Sequence, residues 1–153
     1  MPSKAIPAYG TLLKRGSSAA GTDPQTYVTL GEVKNISGPS TEVSTIDVTT
    51  HSSAVDGNYR EFIPSLIDPG TIDVDLNWVP DDPTHEELWD DLNDRTKRDF
   101  QIVCPPSSAT PPKVATMEFT AYVTGMPKEF PTDDVMGSKL SLRISGPIDI
   151  DVA

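Results

Sequence analysis

Residues 71–79, TIDVDLNWV, alternate without a break: Ile72, Val74, Leu76 and Trp78 fall on one side, and Asp73, Asp75 and Asn77 on the other. Successive side chains of an extended chain point to opposite faces, so a period of two describes a strand with one buried and one wet face. Working outward, β-rich runs recur at 26–34 (TYVTLGEVK) and 44–50 (STIDVTT), separated by Ser37-Gly38-Pro39. Others follow at 99–104, 114–124, 139–145 and, beyond the break at Gly146-Pro147, at 148–152. Short β-branched runs divided by Gly and Pro are the mark of an all-β sandwich or barrel.

One segment departs from this pattern. Within 81–92 (DDPTHEELWDDL), an Asp can cap a helix whose first position is Pro83. Glu86 and Glu87 sit near the positive end of its dipole. Leu88 and Leu92 are four apart with Trp89 beside them, giving one narrow apolar stripe to lay on a sheet. The fold predicted is mainly β, a β-sandwich or flattened barrel of about seven strands with one flanking α-helix.

Domain organisation follows from the gaps. The chain has 153 residues, which suits one domain. Residues 1–25, broken by Pro2, Pro7, Gly10, Gly16, Gly21 and Pro24, read as an N-terminal arm leading into the first strand. Leu12 and Leu13 are its apolar anchor. Residues 26–153 form the single sandwich domain. Inside it, 51–70 lacks periodicity, and loops of that length in compact domains are usually functional. The loop carries Val55, Tyr59, Phe62, Ile63, Leu66 and Ile67 beside Arg60, Glu61 and Asp68. Apolar groups on a projecting loop mark an interaction surface. Leu12, Leu13, Tyr59, Phe62, Ile63, Leu66 and Ile67 are therefore the expected buried contacts between subunits, with Arg60 and Glu61 as pairing residues. A head-to-tail contact of this kind closes into a ring when the rotation allows.

Composition excludes several classes. Twenty-three acids against twelve bases give a net charge of −11, which repels nucleic acid rather than gripping it. A single cysteine, Cys104, excludes an internal disulfide framework and fits a reducing cytoplasm. No apolar run approaches the ~18 residues of a membrane span, and the N-terminus lacks the apolar core of a signal peptide. Asn35-Ile36-Ser37 matches a glycosylation sequon by accident.

Enzyme motifs are missing too. The two histidines, His51 and His85, are expected as polar surface residues, no serine lies in Gly-x-Ser-x-Gly, and Cys104 reads as a buried structural thiol. Asp81-Asp82, Glu86-Glu87, Asp90-Asp91 and Asp133-Asp134 do not make the Asp-x-Asp-x-Asp-Gly loop that binds calcium. No catalytic, cofactor or metal residue is assigned, and no cofactor is expected.

Several segments resemble the major tail, or tail tube, proteins of siphophages. They are 11–16 (TLLKRG), 33–39 (VKNISGP), 45–51 (TIDVTTH), 59–63 (YREFI) with 66–70 (LIDPG), and the strand-to-helix junction 77–85 (NWVPDDPTH). The resemblance runs through nearly the whole chain in one order. It implies a structural virion protein that self-assembles into stacked hexameric rings, a tube through which double-stranded DNA passes on ejection. The arm 1–20 and the loop 51–70 occupy the positions that make contacts between subunits and rings. Tape-measure, tail-tip initiator and tail terminator proteins would be its partners, with assembly in the host cytoplasm and residence in the phage tail. Because the chain stops just after its last strand, it would give a tube without outer decorations.

Two features refine that expectation. Asp73 and Asp75, and separately Asp149 and Asp151, take the polar side of alternating strands, and a lumen lined by them would let a duplex pass without holding it. The competing expectation is a non-enzymatic β-sandwich binding module at a tail tip, for a receptor or carbohydrate. That module would need a concave aromatic site, whereas Trp78 and Trp89 read as core positions.

Overall fold

The computed structural model describes residues 3–52 and 57–153. Val55, counted above among the apolar loop residues, and the first two residues of the arm lie outside the described residues. The chain runs β1 (Leu12–Gly16), β2 (Tyr27–Thr29), β3 (Val33–Ser37), β4 (Glu42–Asp47), β5 (Phe62–Asp68), β6 (Thr71–Asn77), α1 (Pro83–Asp94), β7 (Arg98–Val103), β8 (Ala115–Gly125), β9 (Lys128–Glu129), β10 (Gly137–Ile144) and β11 (Asp149–Val152). Among the described residues it is mainly β with one helix, as the sequence pattern requires, but the strands number eleven rather than about seven. The surplus is β1 and β5, in segments read as arm and loop, the two-residue β9, and the division of the run 26–34 into β2 and β3.

Nine strands make one antiparallel sheet in the order β2-β1-β7-β8-β10-β6-β3, with β11 beside β8 and β9 beside β10. Its buried face starts from the alternation of β6, one strand in from the β3 edge, where Ile72, Val74 and Leu76 are buried. Cross-strand partners share a face, so the register carries that buried face outward. Ile72 meets Leu142 and Val74 meets Leu140 on β10; Leu142 in turn meets Val123 on β8. Phe119 on β8 meets Phe100 on β7, their rings stacked with centroids 6.0 Å apart. Leu13 opposite Ile102 completes the row on β1.

Residues 12–16 therefore belong to the sheet and not to an arm. Their alternation is hidden because Arg15, not a second apolar residue, follows Leu13 on the buried face. Leu13 is 0 % exposed, sealed in the core of its own domain, which corrects its expected place at a subunit contact.

The run 26–34 is two strands, not one. Between them, at Leu30-Gly31-Glu32, the backbone turns through a left-handed Glu32 (φ 61°). The crossing segment links both ends of the sheet: Leu30 N–H donates to the Leu13 carbonyl at 2.9 Å, and Asn77 N–H to the Glu32 carbonyl at 2.9 Å.

Helix α1 covers the buried face. Asp82 is its N-cap, accepting from Thr84 N–H at 2.9 Å, and Pro83 holds the first turn. Its inward side is His85, Leu88 and Asp91, two of which are polar. Arg15 supplies the reason for Asp91. Its Nε donates to Asp91 Oδ2 at 2.6 Å, its Nη2 to Oδ1 at 2.9 Å and its Nη1 to Glu87 Oε2 at 2.8 Å. Arg98 Nε adds 3.1 Å to Asp91 Oδ1.

His85, expected at the surface, is buried as well. Val79 N–H donates to its Nδ1 at 3.2 Å, which leaves Nε2–H to donate to the Gly31 carbonyl at 3.1 Å. One imidazole thus ties the helix to the crossing segment and to the end of β6. Trp89 points outward instead of into the core, and Cys104 is half-buried rather than sealed.

Candidate assembly site

The segment expected as a loop is half strand. β4 and β5 pair as a two-stranded hairpin, with Glu42 opposite Asp68, Val43 opposite Ile67, Ile46 opposite Ile63 and Asp47 opposite Phe62. The sequence hides this because a bulge between Val43 and Thr45 shifts the register, and because Pro64 interrupts the run.

The hairpin prolongs the β3–β6 pair beyond the sheet. It leaves the sheet where Gly38 and Gly70 both take positive φ, 111° and 81°. A side chain at Gly70 would put its Cβ 2.2 Å from the Ser40 carbonyl oxygen, so the two chains cross too closely there for any residue but glycine. At the same crossing Arg143 Nη2 grips Asp68 at 2.9 and 3.0 Å.

Beyond that point every residue of both strands is exposed, and neither strand packs substantially on any other element. One face carries Val43, Ile67 and Phe62; the other carries Ile46 and Ile63, with Leu66 at the bulge and Tyr59 nearer the tip. Leu66 is 84 % exposed and Tyr59 78 %. An isolated two-stranded hairpin is marginal in water, and one apolar on both faces gains stability only by being covered.

Arg60 is spent inside its own hairpin. It forms an ion pair with Asp47 and lies over the Phe62 ring, 5.2 Å from the centroid. The Thr49 hydroxyl and N–H, with Arg60, hold the Asp47 carboxyl down at about 2. The Glu61 carbonyl accepts from Val48 N–H at 2.9 Å. Leu12 is exposed at the start of β1, on the sheet face opposite Leu13.

The second element is that outer sheet face. Asp73 and Asp75 stand on it in β6, beside Ser141 and Lys139 of β10. Asp149 pairs with Glu118, which pairs with Gln101, which pairs with Lys14; Asp151 pairs with Thr116 in the next row. The four acids noted in two separate runs thus share one face, and Glu118 and Asp99 join them. Lys14, Lys139 and Arg143 are its basic residues, with Arg143 engaged by Asp68.

These acids are not equally wet. Asp73 is half-buried and accepts from Ser141 Oγ at 3.0 Å, while Asp75, Asp149 and Asp151 are exposed. Burial pushes the Asp99 carboxyl up, but Gly21 N–H, Gln25 and Thr120 donate to it and the net direction is down.

Among the described residues no cluster of three or more His, Cys, Asp or Glu side chains is placed to hold a metal ion, and no helix is long and apolar enough to cross a membrane. Among the described residues this is a mainly β domain whose apolar β4–β5 ribbon is held away from its own core. The sequence profile of the lambda phage tail tube protein family matches residues 14–149, and the chain belongs to that family. Its role is structural, as a tail tube protein.

Solved structures share the fold at low identity. A chain in the tail of an empty gene transfer agent particle, refined with C6 symmetry, superposes with a TM-score of 0.72 at 16 % identity, over 96 % of this chain and 99 % of that one. The SPP1 tail tube gives 0.66 at 12 %, over 96 % and 80 %. The sheath/tube terminator of an extracellular contractile injection system gives 0.69 at 15 %, over 97 % and 98 %. No curated protein matches the chain in sequence.

Proposed function

We propose that copies of this chain close into hexameric rings that stack as the tail tube, with the β4–β5 hairpin and the N-terminal arm as the contact elements. The observation that carries the reading is the hairpin, apolar on both faces and covered by neither its own sheet nor its helix. In the subunit interface we place Leu12, Tyr59, Phe62, Ile63, Leu66 and Ile67, with Glu61 and the Arg60–Asp47 pair at its rim. Leu13 is left out because it is core. The C6 symmetry of the gene transfer agent tail supports the ring size.

The acidic sheet face lines the lumen in this proposal, and double-stranded DNA passes along it unbound. A duplex carries one phosphate charge per ~1.7 Å of axis, and every cation facing it adds affinity that must be broken to advance. The protein acts without catalysis or cofactor. It is assembled in the host cytoplasm, resides in the virion, and meets the tape-measure, tail-tip initiator and terminator proteins at the ends and inside of the tube.

The test removes the hairpin. Replacing residues 41–69 by a short Gly-Ser turn joins β3 to β6, which are already antiparallel partners. The variant is expected to stay folded and to form no tubes in electron micrographs under conditions where the parent protein does. Normal tubes would overturn the reading.

A further inference from the structure

A second exposed apolar surface lies at the opposite end of the domain. Strand β6 begins at the root of the hairpin and ends just before Trp78 and Val79, roughly 20 Å away at ~3.3 Å per residue. There Trp78 N–H donates to the Met136 carbonyl at 2.9 Å, and the Trp78 ring meets Phe130 edge-on with centroids 5.9 Å apart. Lys128 reaches over both indoles, its Nζ 5.2 Å from the Trp78 centroid and 3.9 Å from that of Trp89. The assembly is fixed by these contacts, yet Trp89 remains 43 % exposed, Phe130 64 %, and Val79 and Met136 more than a third.

We infer that this aromatic patch is the docking surface for the β4–β5 hairpin of a second copy of the chain. The inference rests on the tube reading and deepens it by naming the receiving surface. Three observations select a second copy as the occupant. The two surfaces sit at opposite ends of one strand, so the hairpin cannot reach its own patch, whereas a translated copy's hairpin can. Such a contact joins two different patches and therefore propagates, as a stack requires, instead of closing a two-fold dimer. The exposed apolar side chains of the hairpin cover on the order of 700 Å², close to the ~800 Å² that each partner brings to a standard interface.

The experiment mixes two single-cysteine proteins on a Cys104→Ser background, one with Leu66→Cys and one with Phe130→Cys, and treats them at high concentration with a short bismaleimide. The expected product is the mixed dimer, at a yield several-fold above that of a pair in which Tyr122→Cys, on the acidic sheet face, replaces Phe130→Cys. Intrinsic fluorescence of the parent protein supplies a second readout, because both tryptophans of the chain lie in this patch. Docking is expected to shift their emission to the blue. Tubes with no excess of the mixed dimer would overturn the docking surface and leave the tube standing; the mixed dimer without tubes would uphold the docking surface and overturn the tube. Neither product would overturn both.

Discussion

Arg15 and Asp91 form a buried two-pronged ion pair, 76 residues apart in sequence, that bolts the first strand to the only helix among the described residues. Asp91 also serves Arg98, and Glu87 brings the second carboxylate to Arg15, so two acids face two guanidinium groups. Asp91→Ala leaves Arg15 with only its Glu87 partner in a site that is almost sealed from water. The expected loss is about 3 kcal/mol in chemical denaturation, the low end of the cost of breaking a buried ion pair. The double variant Arg15→Met with Asp91→Leu is expected to regain most of that loss, since matched apolar replacements of buried ion pairs are often neutral. A loss under ~1 kcal/mol for Asp91→Ala would show that the fork does not hold the helix.

Gly70→Ala tests the crossing where the hairpin leaves the sheet. The new Cβ would stand at a positive φ and 2.2 Å from a backbone oxygen that no rotamer can move. The expected cost is ~1–3 kcal/mol of strain, relieved by displacement of the hairpin from its root. Limited proteolysis between residues 41 and 69 should accelerate several-fold while the core keeps its thermal transition within a few degrees. Unchanged cleavage would mean that the crossing does not set the hairpin's position.

Where a single strand or helix pays for its own burial, its residues announce it. The alternation of β6, β8 and β10 and the Asp82-Pro83 start of α1 are visible in the chain because one local pattern decides each of them. Where two distant segments share the decision, the pattern is silent. Asp91 looks like a solvated helix acid until Arg15 arrives from β1. His85 looks like a surface imidazole until Gly31 and Val79 close on it. β5 looks like a loop because a bulge between Pro64 and Ile67 breaks its own alternation and because neither face has a core to alternate against. The apolar content of residues 59–67 was readable as an unmet need for burial; the strand that carries it was not. Likewise Asp73 with Asp75 and Asp149 with Asp151 were readable as two polar faces, and only the register of β6, β10, β8 and β11 makes them one.

Acid should loosen the hairpin before the core. The Asp47 carboxyl is lowered to about 2 by Thr49 and Arg60, and Asp68 is lowered by Gly70 N–H and by Arg143. A carboxylate with a depressed folded-state pKa contributes stability that is fully present above its unfolded value near ~3.9 and lost as pH falls through the folded value. The window is therefore pH ~4 down to ~2. Amide resonances of Thr49 and Gly70 are expected to titrate there and lose their protection from exchange, ahead of amides in β8. Asp47→Asn with Asp68→Asn should remove the titration; persistence of the same transition in that variant would assign it elsewhere.

Reversing charge on β11 separates a lumen from an outer wall. Asp149 and Asp151 are exposed and share the acidic face, and Asp149 stands opposite Glu118, so Asp149→Lys with Asp151→Lys replaces a like-charge pair by an attractive one. The fold and the tube should survive. If the face lines the lumen, each ring gains cations that meet phosphate, and DNA release through intact tubes slows. Raising salt should restore the rate, because phosphate contacts weaken in proportion to the logarithm of salt concentration. A packing defect would not respond to salt in that way. Release at the parental rate, through tubes of normal length at low salt, would place this face away from the DNA.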